Sequence, residues 1–151
     1  MKYADGLKPR QLETFWSKVT KTQSCWLWLG YVDKDGYGSH YTRVNGPTKN
    51  YRAHKLSYVL NVGEVPDGLV LDHICRVRNC VNPDHLRVVT NRVNVLAGIG
   101  ITAINARKAV CKHGHEFTPE NTAVDNLGKR YCRRCRMDYQ RRYRANRKAA
   151  A

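Results

Sequence analysis

The sequence predicts an α+β chain built in successive parts. An N-terminal helix and a β-hairpin lead into a central ββα unit, and a small metal-stapled module with a basic helix follows. Three observations carry this. The first is a short apolar run, Leu69 to Ile74, that ends in Asp72-His73 and is followed by a loop, a second apolar run (Arg87 to Val89) and a helix opening at Thr90. The second is the pairing of Cys111 and His115 with Cys132 and Cys135. The third is charge: 27 Lys and Arg against 12 acids in 151 residues, a net charge of +15. Such an excess favours a polyanionic partner, of which nucleic acid is the commonest. The expected boundaries are 1–22 for the helix, 23–99 for the hairpin and core, 100–110 for a linker and 111–151 for the stapled module.

Within 1–22, Leu12, Phe15, Trp16 and Val19 recur at i, i+3, i+4 and i+7, which is one face of a packing helix. Cys25 to Gly30 alternates and is aromatic, so it reads as a strand with Trp26 and Trp28 on one face. Asp33 to Gly36 makes a turn, Tyr37 to Tyr41 starts the return strand, and Gly46-Pro47 turns the chain again. From Tyr51 to Leu60, Ala53, Leu56, Val59 and Leu60 keep helical spacing until Asn61 and Gly63 stop the helix. Pro66-Asp67-Gly68 turns into the central strand. Residues 100–110 show little periodicity. No run approaches the roughly 18 apolar residues of a membrane span, and Met1 to Arg10 lacks the apolar core of a signal peptide. The expected location is the cytoplasm, where six cysteines serve as thiols or metal ligands rather than disulfides.

The ββα unit sets an acid, an imidazole and a carboxamide (Asp72, His73 and Asn94) on strand, strand and helix. Hydrolysis of a phosphodiester needs such groups: oxygen ligands for a hard cation and a base to activate water. His73 is the expected base, since an unperturbed imidazole titrates near 6.5. Asp72 and Asn94 are the expected anionic and neutral ligands of Mg²⁺ or Mn²⁺. Adjacent strand residues face opposite ways, so both can serve one site only where the strand ends or twists.

This stretch resembles an HNH endonuclease of the ββα-metal type, found in phage genomes and group I introns. The family pattern is Asp-His at the end of the first strand, an Asn or His before a Leu at the second, and a metal-binding His or Asn one turn into the helix. The chain offers Asp72-His73, His85-Leu86 and Asn94, with His85 where the family usually has Asn. The likeness runs from about Cys25 to Gly98 and includes Cys-Trp-x-Trp, Gly-Tyr-Gly and an Arg-Ala-His-Lys segment, whose His54 is either a structural helix residue or a candidate to approach the metal site or a phosphate. It implies an HNH nuclease core acting on double-stranded DNA, as a nicking or homing-like phage enzyme in the host cytoplasm, monomeric or homodimeric. His85 either holds His73 by a hydrogen bond, which makes it part of the catalytic group, or joins Cys75 and Cys80 in a zinc site with Cys25 or His54 as fourth ligand.

In the last third, Cys111, His115, Cys132 and Cys135 are the expected ligands of a structural Zn²⁺, with His113 as the alternative to His115. The family's phage members often carry Cys-x-x-Gly-His, and Gly114 precedes His115. Residues 100–151 hold 13 basic and 4 acidic side chains. Arg133, Arg134, Arg136, Arg141, Arg142, Arg144, Arg147 and Lys148 spread around a helix and are the expected DNA contacts. The rival reading is a non-catalytic zinc-containing DNA- or RNA-binding protein.

Overall fold

The computed structural model describes residues 3–150; Met1, Lys2 and Ala151, at the ends of the expected first and last segments, lie outside the described residues. The chain divides between Asn94 and Val95 into two compact units.

In the first unit, Pro9 opens helix α1 (Pro9–Trp16), a position where its missing N–H leaves no bond unmade. The helix stops sooner than the apolar periodicity suggests. Ser17 and Lys18 donate back to Glu13 and Phe15, and Val19 begins strand β1 (Val19–Lys21), which pairs with β2 (Trp26–Trp28), Val19 opposite Trp28. Val19 still packs on the core with Trp16 and Trp26, but from a strand.

Strand β2 is tied on its other edge to the central loop. Trp28 donates to the Asn79 carbonyl (2.9 Å), Val81 donates to the Trp26 carbonyl (2.7 Å), and Leu27 bridges Cys80. The expected hairpin between Cys25–Gly30 and Tyr37–Tyr41 reduces to one bridge, Val32 to Gly38, with a bond from Ser39 to the Tyr31 carbonyl. The ladder partner of β3 (Ser39–Arg43) is instead β4 (Thr48–Arg52), across Asn45 and Gly46, both at positive φ. Tyr51 and Arg52 complete that ladder, so the following helix, α2, spans Ala53–Asn61.

The core gathers Phe15, Trp28, Val44, Tyr51, Ala53, Leu56 and Val81. Phe15 stacks on Trp28 with ring centroids 5.1 Å apart. The indole explains two glycines: a Cβ on Gly30 or on Gly38 would lie 2.5 Å from the Trp28 ring.

Strands β5 (Leu69–His73) and β6 (Leu86–Thr90) pair antiparallel, with Asp72 opposite Arg87 and His73 opposite Leu86. Between them Asn82 caps a 3-10 turn, Pro83–His85, by accepting from Asp84 N. The Thr90 hydroxyl accepts from Val93 N at the start of α3 (Asn91–Ala97). The ββα arrangement expected from the sequence is therefore present.

In the second unit, the stretch read as linker is helical over α4 (Ile101–Arg107), with Ala103 fully buried. Arg130 holds it by donating to the carbonyls of Asn105 (2.6 Å) and Lys108 (2.9 Å). At seven residues, α4 is too short to give a periodic signal that reads against its polar neighbours. Strands β7 (Thr122–Val124) and β8 (Arg130–Cys132) form a hairpin between the two ligand pairs, and α5 (Arg133–Ala149) follows directly.

Candidate functional site

Strand β5 ends at His73, and the turn after it is sharp: Arg76 has φ of 60°. The pair Asp72-His73 closes the strand. Asp72 is 2% exposed and His73 6% exposed.

The imidazole of His73 is oriented by a backbone group. Nε2 lies 3.0 Å from the Cys80 carbonyl. A carbonyl only accepts, so Nε2 carries the proton and Nδ1 is left as the basic nitrogen. Burial pulls the His73 pKa below its ordinary value, against the opposing pull of the Cys80 carbonyl and Asp72. The ring is thus neutral, and able to accept a proton, at physiological pH. The hold on His73 that one reading gave to His85 belongs to Cys80.

Asp72 is not an open ligand. Its Oδ1 accepts from Arg76 Nη1 (2.7 Å), and its Oδ2 accepts from Arg87 Nε (2.9 Å) and Nη2 (2.8 Å). Arg87 arrives by strand register and Arg76 by the turn four residues on. Both guanidiniums are about half exposed, at 44% and 46%, so a single buried carboxylate holds two cations at the surface. Asn94 is half-buried on α3. An acid and an amide suit a hard cation in kind, and both oxygens of this acid are engaged by arginines.

His85 goes elsewhere. Its Nδ1 faces Cys25 Sγ (3.5 Å) and Cys80 Sγ (3.6 Å), and the ligand atoms of Cys25, Cys75, Cys80 and His85 all lie within 4.8 Å of one another. Zinc bonds of about 2.3 Å to sulfur and about 2.0 Å to nitrogen imply tetrahedron edges of roughly 3.5–3.8 Å. The two measured separations match. Cys25 becomes the fourth member because β2 pairs along the Asn79–Val81 loop, and because Asn82 Nδ2 donates to the Ser24 carbonyl (2.9 Å). Burial pushes the Cys80 thiol up to about 12, so a thiolate there calls for a cation beside it.

The second cluster is the one expected from spacing. Cys111, His115, Cys132 and Cys135 also bring their ligand atoms within 4.8 Å of one another. His115 Nδ1 is 3.6 Å from Cys111 Sγ, 3.3 Å from Cys135 Sγ and 3.7 Å from Cys132 Sγ. His113 stays outside the cluster. Gly114 turns the knuckle at φ of 80°, and Cys111 N donates to the His115 carbonyl (2.8 Å).

No residue of α5 is buried. Arg133 donates to the Thr122 carbonyl, Arg136 to the Tyr131 hydroxyl and Arg142 to the Asp138 carbonyl. Arg134, Arg141, Arg144, Arg147 and Lys148 are exposed along it. Among the described residues none of these eight cations is paired with an acid.

Two features go beyond the sequence reading, which offers His54 only as a candidate to approach the metal site or a phosphate. One is the arginine pair on Asp72, which strand register (Arg87) and the turn after β5 (Arg76) bring in. The other is a cluster of rings: His54 lies 4.8 Å from His73 between centroids, and Tyr37 lies 5.7 Å from His54 and 5.9 Å from His73. The Gly-Tyr-Gly and Arg-Ala-His-Lys segments were its only signal.

Residues 51–96 match the family model described as HNH endonuclease. Protein 7.7 of Escherichia phage T7 is 38% identical over 72 residues, covering 48% of this chain and 52% of its own length. The uncharacterized gene 5.3 protein of Enterobacteria phage T3 is 30% identical over 66 residues, covering 42% of this chain and 65% of its own. The matches thus span less than two thirds of either relative. No solved structure matches.

Proposed function

The chain carries an HNH endonuclease domain at residues 51–96, and on that premise we propose that it is a metal-dependent endonuclease that hydrolyses phosphodiester bonds of double-stranded DNA. The observation that carries this reading is the contact of His73 Nε2 with the Cys80 carbonyl. The bond from Nε2 to the Cys80 carbonyl leaves Nδ1 to take a proton from water. Asn94, with Asp72, would hold Mg²⁺ or Mn²⁺, whose charge offsets the charge that develops on the scissile phosphate. Arg76 and Arg87, gathered on Asp72, are placed to grip phosphate oxygens. His85 is assigned to zinc rather than to the reaction. Its cluster with Cys25, Cys75 and Cys80 fixes the loop whose carbonyl orients His73.

Zinc at Cys111, His115, Cys132 and Cys135 staples the second unit, and α5 supplies phosphate contacts through Arg133, Arg134, Arg136, Arg141, Arg142, Arg144, Arg147 and Lys148. The phage relatives suit a nicking or homing-like phage enzyme acting in the host cytoplasm. One such centre cuts one strand, so a monomer would nick and a homodimer would cut both. Among the described residues no helix is long and apolar enough to cross a membrane.

The test is incubation of supercoiled plasmid with zinc-loaded protein and Mg²⁺ or Mn²⁺, alongside EDTA and His73→Ala. Open-circle or linear product should need both the added ion and His73, with the variant about 10²–10⁴-fold slower. Salt-sensitive DNA binding with no cut under any ion would instead place the chain among non-catalytic zinc-containing DNA- or RNA-binding proteins.

A further inference from the structure

His54 stands in the first turn of α2, outside both metal clusters and outside the groups assigned above. Its ring meets the His73 ring at 65° with centroids 4.8 Å apart, and both rest on Tyr37. The guanidiniums of Arg52 and Arg78 lie 5.8 Å and 5.5 Å from the Tyr37 ring. Arg52 is paired with Asp33, whereas Arg78 donates to the Asp35 carbonyl (2.6 Å) and has no ion pair among the described residues. One cation not offset by an acid therefore stands beside the two imidazoles, which suits an anionic ligand.

The two nitrogens of His54 differ. Nδ1 is buried with no hydrogen-bond partner, and Nε2 is not shut off in this way. A buried N–H left unpaired is costlier than a buried lone pair left unpaired. The proton therefore sits on Nε2, and Nδ1 is the bare nitrogen. Burial holds the His54 pKa down to about 3, so the ring stays neutral while presenting one N–H. An apolar ring would fill the same space without an unpaired nitrogen. A histidine here has a use that packing does not supply.

We propose that His54 is a second imidazole of the cleavage centre, whose Nε2–H donates a hydrogen bond to a non-bridging oxygen of the scissile phosphodiester. This rests on the nuclease reading. It adds a neutral donor beside a neutral base: His73 takes the proton of water, and His54 steadies the charge that builds on the phosphate. Because its ring does not charge above about pH 4, the donor is present across the whole working range of His73.

The test compares His54→Phe and His54→Gln with the wild-type chain, zinc-loaded, on supercoiled plasmid with Mn²⁺. Read-outs are the single-turnover rate, the half-saturating plasmid concentration and the melting temperature. His54→Phe keeps the ring, loses the donor and also loses the unpaired Nδ1. It should melt no lower than wild type and cut about 10²-fold more slowly at saturation. His54→Gln restores an N–H and should recover a clear part of that loss. Wild-type rates in His54→Phe, or equal losses in both variants, would overturn the inference while leaving the nuclease reading intact. Should His54→Phe fail to fold, His54→Leu takes its place against His54→Gln and is read in the same way. A wild-type chain that cuts nothing, with any ion, would overturn the nuclease reading and this inference together.

Discussion

Asp72→Asn tests the arrangement on which the centre rests. The carboxylate is 2% exposed and accepts three bonds, one from Arg76 and two from Arg87. Asn is nearly isosteric, but it removes the charge and points an NH₂ at one guanidinium. Breaking a buried pair by removing one partner costs about 3–5 kcal/mol when the orphaned charge stays buried. Here the orphans are 44% and 46% exposed and can rehydrate, so about 2 kcal/mol is the fitting figure. For a unit of this size that lowers the melting temperature by about 8–16 °C. Tryptophan fluorescence is a selective probe, because Trp16, Trp26 and Trp28 all lie in the first unit. The loss should appear in zinc-loaded protein with no other divalent ion present. Arg87→Ala should cost more than Arg76→Ala, since it removes two bonds rather than one. If Asp72→Asn melted with wild type in the absence of Mn²⁺, the arginine bonds would contribute nothing to the fold and the ion-pair argument would fail, whatever the carboxylate does for an added cation.

Three further outcomes follow from the same geometry. Elemental analysis should find two zinc ions per chain, and one in either Cys80→Ser or Cys132→Ser. Cys80→Ser should also lose cleavage, because it loosens the loop that orients His73. Acid should destabilise the first unit through its buried histidines. The His54 pKa is held down to about 3 by burial and that of His40 is lowered for the same reason, so the unfolded chain binds more protons below about pH 6.5. Stability is therefore full above about pH 6.5 and is lost as pH falls towards 3. At pH 5 the His54 share is about 2 kcal/mol, seen as the extra gain of His54→Phe in urea midpoints at pH 5 over pH 7.5. An equal gain at both values would refute it. Finally, Arg141, Arg144, Arg147 and Lys148 changed together to Gln should flatten the slope of log K for duplex DNA against log salt by up to about 3.6. An unchanged slope by fluorescence anisotropy would take α5 off the DNA.

What could be read in the sequence and what could not divide along physical lines. Cys111-x3-His115 and Cys132-x2-Cys135 are legible because each pair is held by one tight turn, so linear spacing nearly determines distance. Asp72-His73 and the ββα order are legible for a similar reason, since the strand end and the helix start carry local turn chemistry. The fourth member of the first cluster is different. Cys25 and His54 were equal candidates by composition, and only the pairing of β2 with the Asn79–Val81 loop decides for Cys25, 50 residues and more away in sequence. His54 instead meets the His73 ring, with centroids 4.8 Å apart. The N-terminal helix shows the converse error: an apolar period continued through Val19 because the core needs a side chain there, although the backbone that delivers it has already become a strand. Periodicity reports which residues are buried and is silent on when the chain changes structure to bury them.

The Cys80 residue joins these strands of argument. Its N–H and carbonyl, its side chain and its bridge to Leu27 act on four different neighbours: Val77, His73, the cluster of Cys25, Cys75 and His85, and β2. A substitution that spares the backbone but removes the sulfur should therefore loosen the base without removing any catalytic group. That is why loss of cleavage in Cys80→Ser, with His73 intact, would separate a metal that builds the centre from an ion that takes part in the reaction. Restoring the rate with excess Mn²⁺ would contradict this division, since no amount of a hard cation should replace the zinc proposed at three cysteines and an imidazole.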